Sequence, residues 1–200
     1  GDWGAAVTTQ IGRNRGHCVA VHTNMPLGRP PKGLRDPSPD ELAALERLEY
    51  YQKWDSGYSK QQSTRPQTLG YGLVDSPVGQ MAWIGEKFWS WMDCDGHPEN
   101  VVSRDELLDN VMLYWLPGAA TSSARLYWES FRNPPMDEMK VPVGASIFPK
   151  EIFRTSRRWA EKHFGGLLYW NELDKGGHFA AFEQPETFVD EIRTCFRSLR

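Results

Sequence analysis

The period of the apolar residues changes twice along the 200-residue chain, and this limits the available folds more than any other feature. The run His17-Cys18-Val19-Ala20-Val21-His22-Thr23-Asn24 is short, β-branched and bounded by Gly16 and Pro26, which predicts a strand. Residues 36–135 then carry helical spacing throughout. Two further apolar runs follow, one over 141–148 that ends at Pro149 and one over 167–170, with a helix predicted at about 155–164 between them. A helix over 3–14 precedes the first run. The last helix starts at Pro185 and is expected to turn Phe188, Val189, Ile192 and Phe196 toward the sheet. Strand, helical insertion, strand, helix, strand, helix implies an α/β layer carrying a helical lid. The expected division is a core of 1–35 and 136–200 with a lid of 36–135.

Local signals place the helices within the insertion. Prolines 26, 30, 31 and 37 mark a connector. Ser38-Pro39-Asp40-Glu41 then supplies a cap, a first-turn proline and an acid, followed by Leu42, Leu45 and Leu48, predicting a helix over about 39–53. Ser103-Arg104-Asp105-Glu106 is a second such start, with Leu107, Leu108, Val111, Met112 and Trp115 expected on one face and a stop at Pro117-Gly118. Further helices are predicted over 77–91 and from Thr121 or Ser122 to Phe131.

Composition excludes several functions. Twenty-three basic residues against 26 acidic ones leave a net charge of −3 with no basic stripe, so nucleic acid is not an expected partner. No apolar run is long enough to span a bilayer. Cys18, Cys94 and Cys195 are odd in number, widely spaced and without a C-x-x-C, which predicts reduced, buried thiols and a cytoplasmic setting. Nine Trp and 12% aromatic residues suggest an apolar cavity as well as a core, although Trp83, Trp91 and Trp115 are individually better explained by packing. His17 and His22 lack a third ligand nearby and are assigned to strand packing, so neither a metal nor a cofactor is expected. The charged mixture over 151–162 is expected to form a solvated helix face.

Three residues stand out chemically. Asp2, between Gly1, Trp3 and Gly4, lies at a helix start in the context of a nucleophile elbow, a sharp turn that lifts one side chain above a sheet and needs small neighbours. A helix-capping Asp is the plainer reading of that triplet. Glu151 follows the 141–148 strand, and His178 follows the 167–170 strand on the loop Asp174-Lys175-Gly176-Gly177-His178-Phe179. Acid, acid and histidine in the order Asp2, Glu151, His178 match the chain order of the α/β-hydrolase triad.

The chain resembles the microsomal-type epoxide hydrolases along its whole length. The matching stretches are G-D-W-G at 1–4, D-S-G-Y at 55–58, D-S-P-V-G at 75–79, E-L-L-D-N-V-M-L-Y-W at 106–115, S-S-A-R-L-Y at 122–127, F-P-K-E at 148–151 and G-G-H-F-A-A-F-E-Q-P-E at 176–186. The resemblance implies the C-terminal half of an α/β-hydrolase fold, a partial parallel sheet with a helical lid insertion. It makes Asp2 the nucleophile, His178 the water-activating base and Glu151 the acid that orients it. Tyr58 and Tyr127 become the phenols that hold the epoxide oxygen, and the backbone N–H of Trp3 an oxyanion donor. The expected partners are a small-molecule epoxide and water, with a homo-oligomer also open. The family's H-G-x-P stretch and first strands would precede Gly1, so the chain is expected to be a fragment that is poorly folded and nearly inactive alone. A dehalogenase-like hydrolase with the same triad is the alternative enzyme, but halide release needs no phenol pair. A non-catalytic module is the alternative from outside enzymes.

Overall fold

The computed structural model describes residues 1–14, 16–28, 30–131 and 139–200. These fall into two compact units. One holds the described residues of Gly1–Tyr50, Trp91–Asp93 and Asp137–Arg200, the other those of Tyr51–Ser90 and Cys94–Met136. The boundary expected at 135–136 lies outside the described residues.

In the first unit, α1 (Asp2–Asn14) leads to β1 (Val21–Thr23), and α2 (Pro39–Tyr50) follows the proline-rich connector. The chain returns with β2 (Val143–Ile147), and all three strands pair in parallel in the order β1-β2-β3, β3 being Leu167–Glu172. The middle strand, Val-Gly-Ala-Ser-Ile, is buried at every position, the pattern of a parallel strand covered on both faces. Val21 and Val143 pack with Met139, Val141, Ala160 and Phe164, the last two supplied by α8 (Arg157–His163) and its end. The strand predicted over 17–24 contracts to three residues, and β3 runs two residues beyond its expected end.

The opposite side of β2 is polar. The Ser146 hydroxyl donates to Glu191 (2.6 Å), the Tyr169 hydroxyl and Asn171 Nδ2 donate to the same carboxylate, and His22 Nε2 lies 2.9 Å from Ser146 Oγ. Glu191 sits on α10 (Pro185–Cys195), whose inward stripe is Phe188, Glu191, Ile192 and Cys195. Val189, expected to face the sheet, is 43% exposed, because spacing of three and four from Phe188 leads through Glu191 rather than through Val189. The apolar pattern misled here: a buried carboxylate with three donors occupies a position that hydrophobicity assigns to solvent.

This unit predicts a stability optimum. Burial pushes His22 down from 6.5 to about 4, so below 6.5 the unfolded chain binds the proton that folded His22 refuses, and stability falls as pH drops toward 4. His178 behaves oppositely. Burial alone would lower its pKa, but the carboxylates facing it lift it from 6.5 to about 9, so its contribution is complete below 6.5 and lost as pH rises through 9. Glu41 acts lower still: the Arg158 guanidinium holds its pKa at about 2 against an ordinary 4.5, so its contribution is lost only below 4.5. Urea midpoints measured from pH 4 to 9 should therefore peak near 6.5. The acid limb should flatten in His22→Gln and the alkaline limb in His178→Gln. A midpoint that climbs steadily from 6.5 to 9 would contradict this.

Glu41 does more than cap α2. It completes a reciprocal bond pair with Ser38, and it also accepts from the Ser156 hydroxyl and from Arg158, all while fully buried. The charged mixture at 151–162 accordingly divides: Arg157 and Glu161 pair on the exposed face of α8, whereas Glu151 is buried, so the expected solvated face holds only in part. All three cysteines are free thiols; Cys94 and Cys195 are buried, but Cys18 is only half-buried.

The second unit is helical. A π-helical turn at Tyr51–Asp55 ends the run begun by α2, followed by α3 (Gly57–Thr64), α4 (Pro66–Asp75), α5 (Pro77–Trp91), α6 (Arg104–Trp115) and α7 (Ala120–Ser130). Helix α6 opens on the capping box predicted at Ser103 and Glu106. Its expected apolar face is only partly covered: Val111 is buried, Leu107 and Trp115 half-buried, and Leu108 and Met112 exposed. Among the described residues, no helix is long and apolar enough to cross a membrane.

Candidate active site

Parallel strands bring their C-terminal ends to one edge, and the loops leaving that edge carry the reactive groups. Asn24 follows β1, Glu151 follows β2 and His178 follows β3. His178 Nδ1 lies 2.5 Å from Glu151 Oε1, and its Nε2 lies 3.3 Å from Asp2 Oδ2. The side chains of His178 and Glu151 are each 1% exposed, whereas that of Asp2 is 48% exposed. One imidazole thus links a buried acid to an accessible one, which is the geometry the residue order suggested.

Asp2 has the backbone conformation of a strained turn. It opens α1 with φ 48°, in the left-handed region that non-glycine residues rarely adopt. Capping alone does not need this, since capping residues sit in the extended region. Of its small neighbours, Gly1 is crowded, because a Cβ there would approach Asn24, whereas a Cβ at Gly4 would meet nothing within 4 Å among the described residues. Burial would raise the Asp2 carboxyl, but bonds from His178 and from the Trp3 backbone outweigh it and leave the pKa below its usual 3.8.

Glu151 is held from several sides. Asn24 Nδ2 donates to its Oε2 (3.3 Å), the Ile152 N–H to its Oε1 (2.8 Å), and Arg47 Nε to its backbone oxygen (2.9 Å). Those partners leave the carboxylate one direction for His178. With Nδ1–H given to Glu151, Nε2 can bond to an ionised Asp2 only as a second N–H, so the resting ring is an imidazolium, in line with the pKa of about 9. The Trp91 ring stands edge-on to it, centroids 5.2 Å apart, and closes off one side.

The two glycines before His178 follow from the packing. Gly176 has φ 115°, and a Cβ at Gly177 would press on backbone atoms of Trp91 and Asp93 and on the Glu183 carboxylate.

The tyrosines belong to the helical unit. Tyr58, on α3, and Tyr127, on α7, meet edge-to-face with ring centroids 5.8 Å apart. The Tyr51 hydroxyl lies 3.3 Å from that of Tyr58, and Lys87 Nζ lies over the Tyr58 ring at 4.7 Å. Trp54, Tyr58, Leu69, Trp83 and Lys87 line a cavity of about 470 Å³, so Trp83 borders open space, while Trp91, which belongs to the first unit, packs against His178 within it. Sequence reasoning missed Asn24, Tyr51 and Lys87 and assigned Trp91 to packing. Asn24, Trp91 and Lys87 make these contacts with residues distant in sequence, and Tyr51 with a hydroxyl seven positions away; only the position of Asn24 at a strand end was available as a signal.

A parallel sheet whose strand ends gather an acid, a histidine and a strained aspartate defines part of an α/β-hydrolase. No family model matches the chain. It is 52% identical over its whole length to a Stigmatella aurantiaca protein named provisionally as an epoxide hydrolase, covering 46% of that protein. It is 34% identical over 96% of its length to epoxide hydrolase 1 of Sus scrofa, covering 49% of it. The solved structure of Aspergillus niger epoxide hydrolase superposes on all of the chain with a TM-score of 0.87 at 30% identity, and the chain covers 51% of it. The chain is an epoxide hydrolase homologue, and it spans about half the length of the curated relatives it matches.

Proposed function

We propose that this chain supplies the nucleophile, base and orienting acid of an epoxide hydrolase acting on a small-molecule epoxide and water. The observation that carries the reading is the continuous link Glu151–His178–Asp2, with the reactive carboxylate exposed and the other two groups buried. An epoxide carbon is opened by displacement, and a carboxylate held below its usual pKa is ionised at neutral pH and needs no base to attack. The Asp2 Oδ–C bond forms as the epoxide C–O bond breaks, and the released alkoxide takes a proton from Tyr58 or Tyr127. Their mutual ring contact supports their acting as a pair.

The charge on His178 then changes in the useful direction. Esterified Asp2 carries no negative charge and no longer stabilises the imidazolium, so the pKa falls from about 9 and the ring releases its proton to solvent, which returns one to the phenolate. Neutral His178 takes a proton from water as that water attacks the ester carbonyl, and Glu151 stabilises the cation formed. The Trp3 N–H already directed at the Asp2 carboxylate supports its role as donor to the tetrahedral oxyanion. Collapse breaks the acyl–oxygen bond; the departing alkoxide takes a proton from the imidazolium, which regains one from the new carboxyl group, so the diol leaves and Asp2 is restored as the carboxylate. The helical unit serves as the lid in this reading, and the three free thiols favour a cytoplasmic location.

One turnover of the complete protein in heavy-oxygen water is the test. Because water attacks the carbonyl and not the alkyl carbon of the ester, the label is expected in the peptide containing Asp2 and not in the first diol released. Label confined to the diol would eliminate the two-step route.

A further inference from the structure

Four consecutive backbone amides around the imidazole are captured by groups outside their own loop strand. The Gly176 N–H donates to Asp93 Oδ2 (2.9 Å), the Gly177 N–H to Glu183 Oε2 (2.9 Å), the His178 N–H to the Trp91 carbonyl (2.9 Å) and the Phe179 N–H to Glu183 Oε1 (2.9 Å). Glu183 Oε2 also accepts from the Asp93 N–H at 2.7 Å. Glu183 closes the short helix α9 (Ala180–Glu183), and its side chain turns back, buried, beneath the loop. Asp93 reaches further: its Oδ1 pairs with Lys150 Nζ at 2.7 Å, one residue before Glu151.

We propose that Glu183, with Asp93 beside it, is a positioning residue for His178, its carboxylate clamping the amides on both sides of the imidazole so that Nε2 points where the hydrolytic water must be. The proposal rests on the reading of His178 as the water-activating base. Its chemical logic is that only a carboxylate can fill the position. Both oxygens accept, one from Gly177 and Asp93 and the other from Phe179, whereas an amide side chain has a single acceptor and would press an NH₂ against a backbone N–H in either orientation. Losing one arm frees the loop on one side of the ring. Proton abstraction requires alignment with both the water and Glu151, so a displacement of about 1 Å weakens it about 100-fold. Attack by Asp2 does not pass through this loop.

The clamp therefore predicts a split between the half-reactions. Glu183→Gln in the complete protein, followed by rapid quench and peptide mass analysis with styrene oxide as probe, is expected to form the Asp2 ester within about threefold of the native rate and to hydrolyse it about 100-fold more slowly, so that ester accumulates. A role in folding alone would lower both half-reactions together in proportion to the folded fraction, and that result, or an unchanged hydrolysis rate, would overturn the clamp. If Glu183→Gln does not fold, Asp93→Asn, which alters the grip on Gly176 and Lys150, is read by the same ratio. A native protein that forms no ester would instead remove the aspartyl mechanism on which the clamp depends, which keeps the two failures distinct.

Discussion

His178→Gln should convert the protein into one that reacts once with an epoxide and stops. Gln cannot take a proton from water, and general-base catalysis contributes about 10²- to 10⁴-fold, so ester hydrolysis falls by that factor. Attack by Asp2 persists, because the carboxylate is ionised without help from a base. The expected result is an Asp2-containing peptide heavier by the mass of the whole epoxide, one equivalent per active site, with diol production nearly halted. Diol formation at the native rate would show that another group activates water. The native ester should also hydrolyse faster as pH rises, with an apparent pKa below 9, because esterified Asp2 no longer joins Glu151 in holding the imidazolium at that value.

The reverse outcome is expected from the tyrosines. Removing one preorganised donor from a developing oxyanion costs about 10²- to 10³-fold, so Tyr58→Phe or Tyr127→Phe should slow ester formation by that factor. The double substitution should slow it further, by less than the product of the two if one phenol relays a proton to the other. Ester hydrolysis should be unchanged, since that step uses His178 and the Trp3 N–H. Single-turnover kinetics with an epoxide separates the two steps. Epoxide opening unaffected by both substitutions would exclude the phenols as donors and favour the halide-releasing chemistry that shares the triad.

The sequence pattern carried the helices well, for a local reason. The capping box at Ser103 and Glu106 and the start of α2 are closed by side chains bonding to backbone three residues away, so sequence spacing is spatial spacing. Helix α5 runs from Pro77 to Trp91, as its pattern predicts. Strand limits were less legible, because pairing depends on a partner more than a hundred residues off: β1 keeps only Val21–Thr23, the residues that face Val143–Ala145. Val189 on α10 was expected to face the sheet but is exposed, since a hydrophobicity pattern cannot register the carboxylate of Glu191, which finds its donors on Ser146, Tyr169 and Asn171.

The order Asp2, Glu151, His178 and the glycines before the histidine could be read from the sequence, but residue types alone left Asp2 as a helix cap, and only the resemblance gave it the part of a nucleophile. Burial, and with it the protonation state of His178 and the second duty of Glu183, came only with the tertiary structure. Desolvation and hydrogen bonding are set by whatever the fold brings alongside a group: Glu151 arrives from 27 positions away, Asp2 from 176 and Asp93 from 83 before Gly176. A sequence names the groups that can titrate, but their surroundings decide when they do.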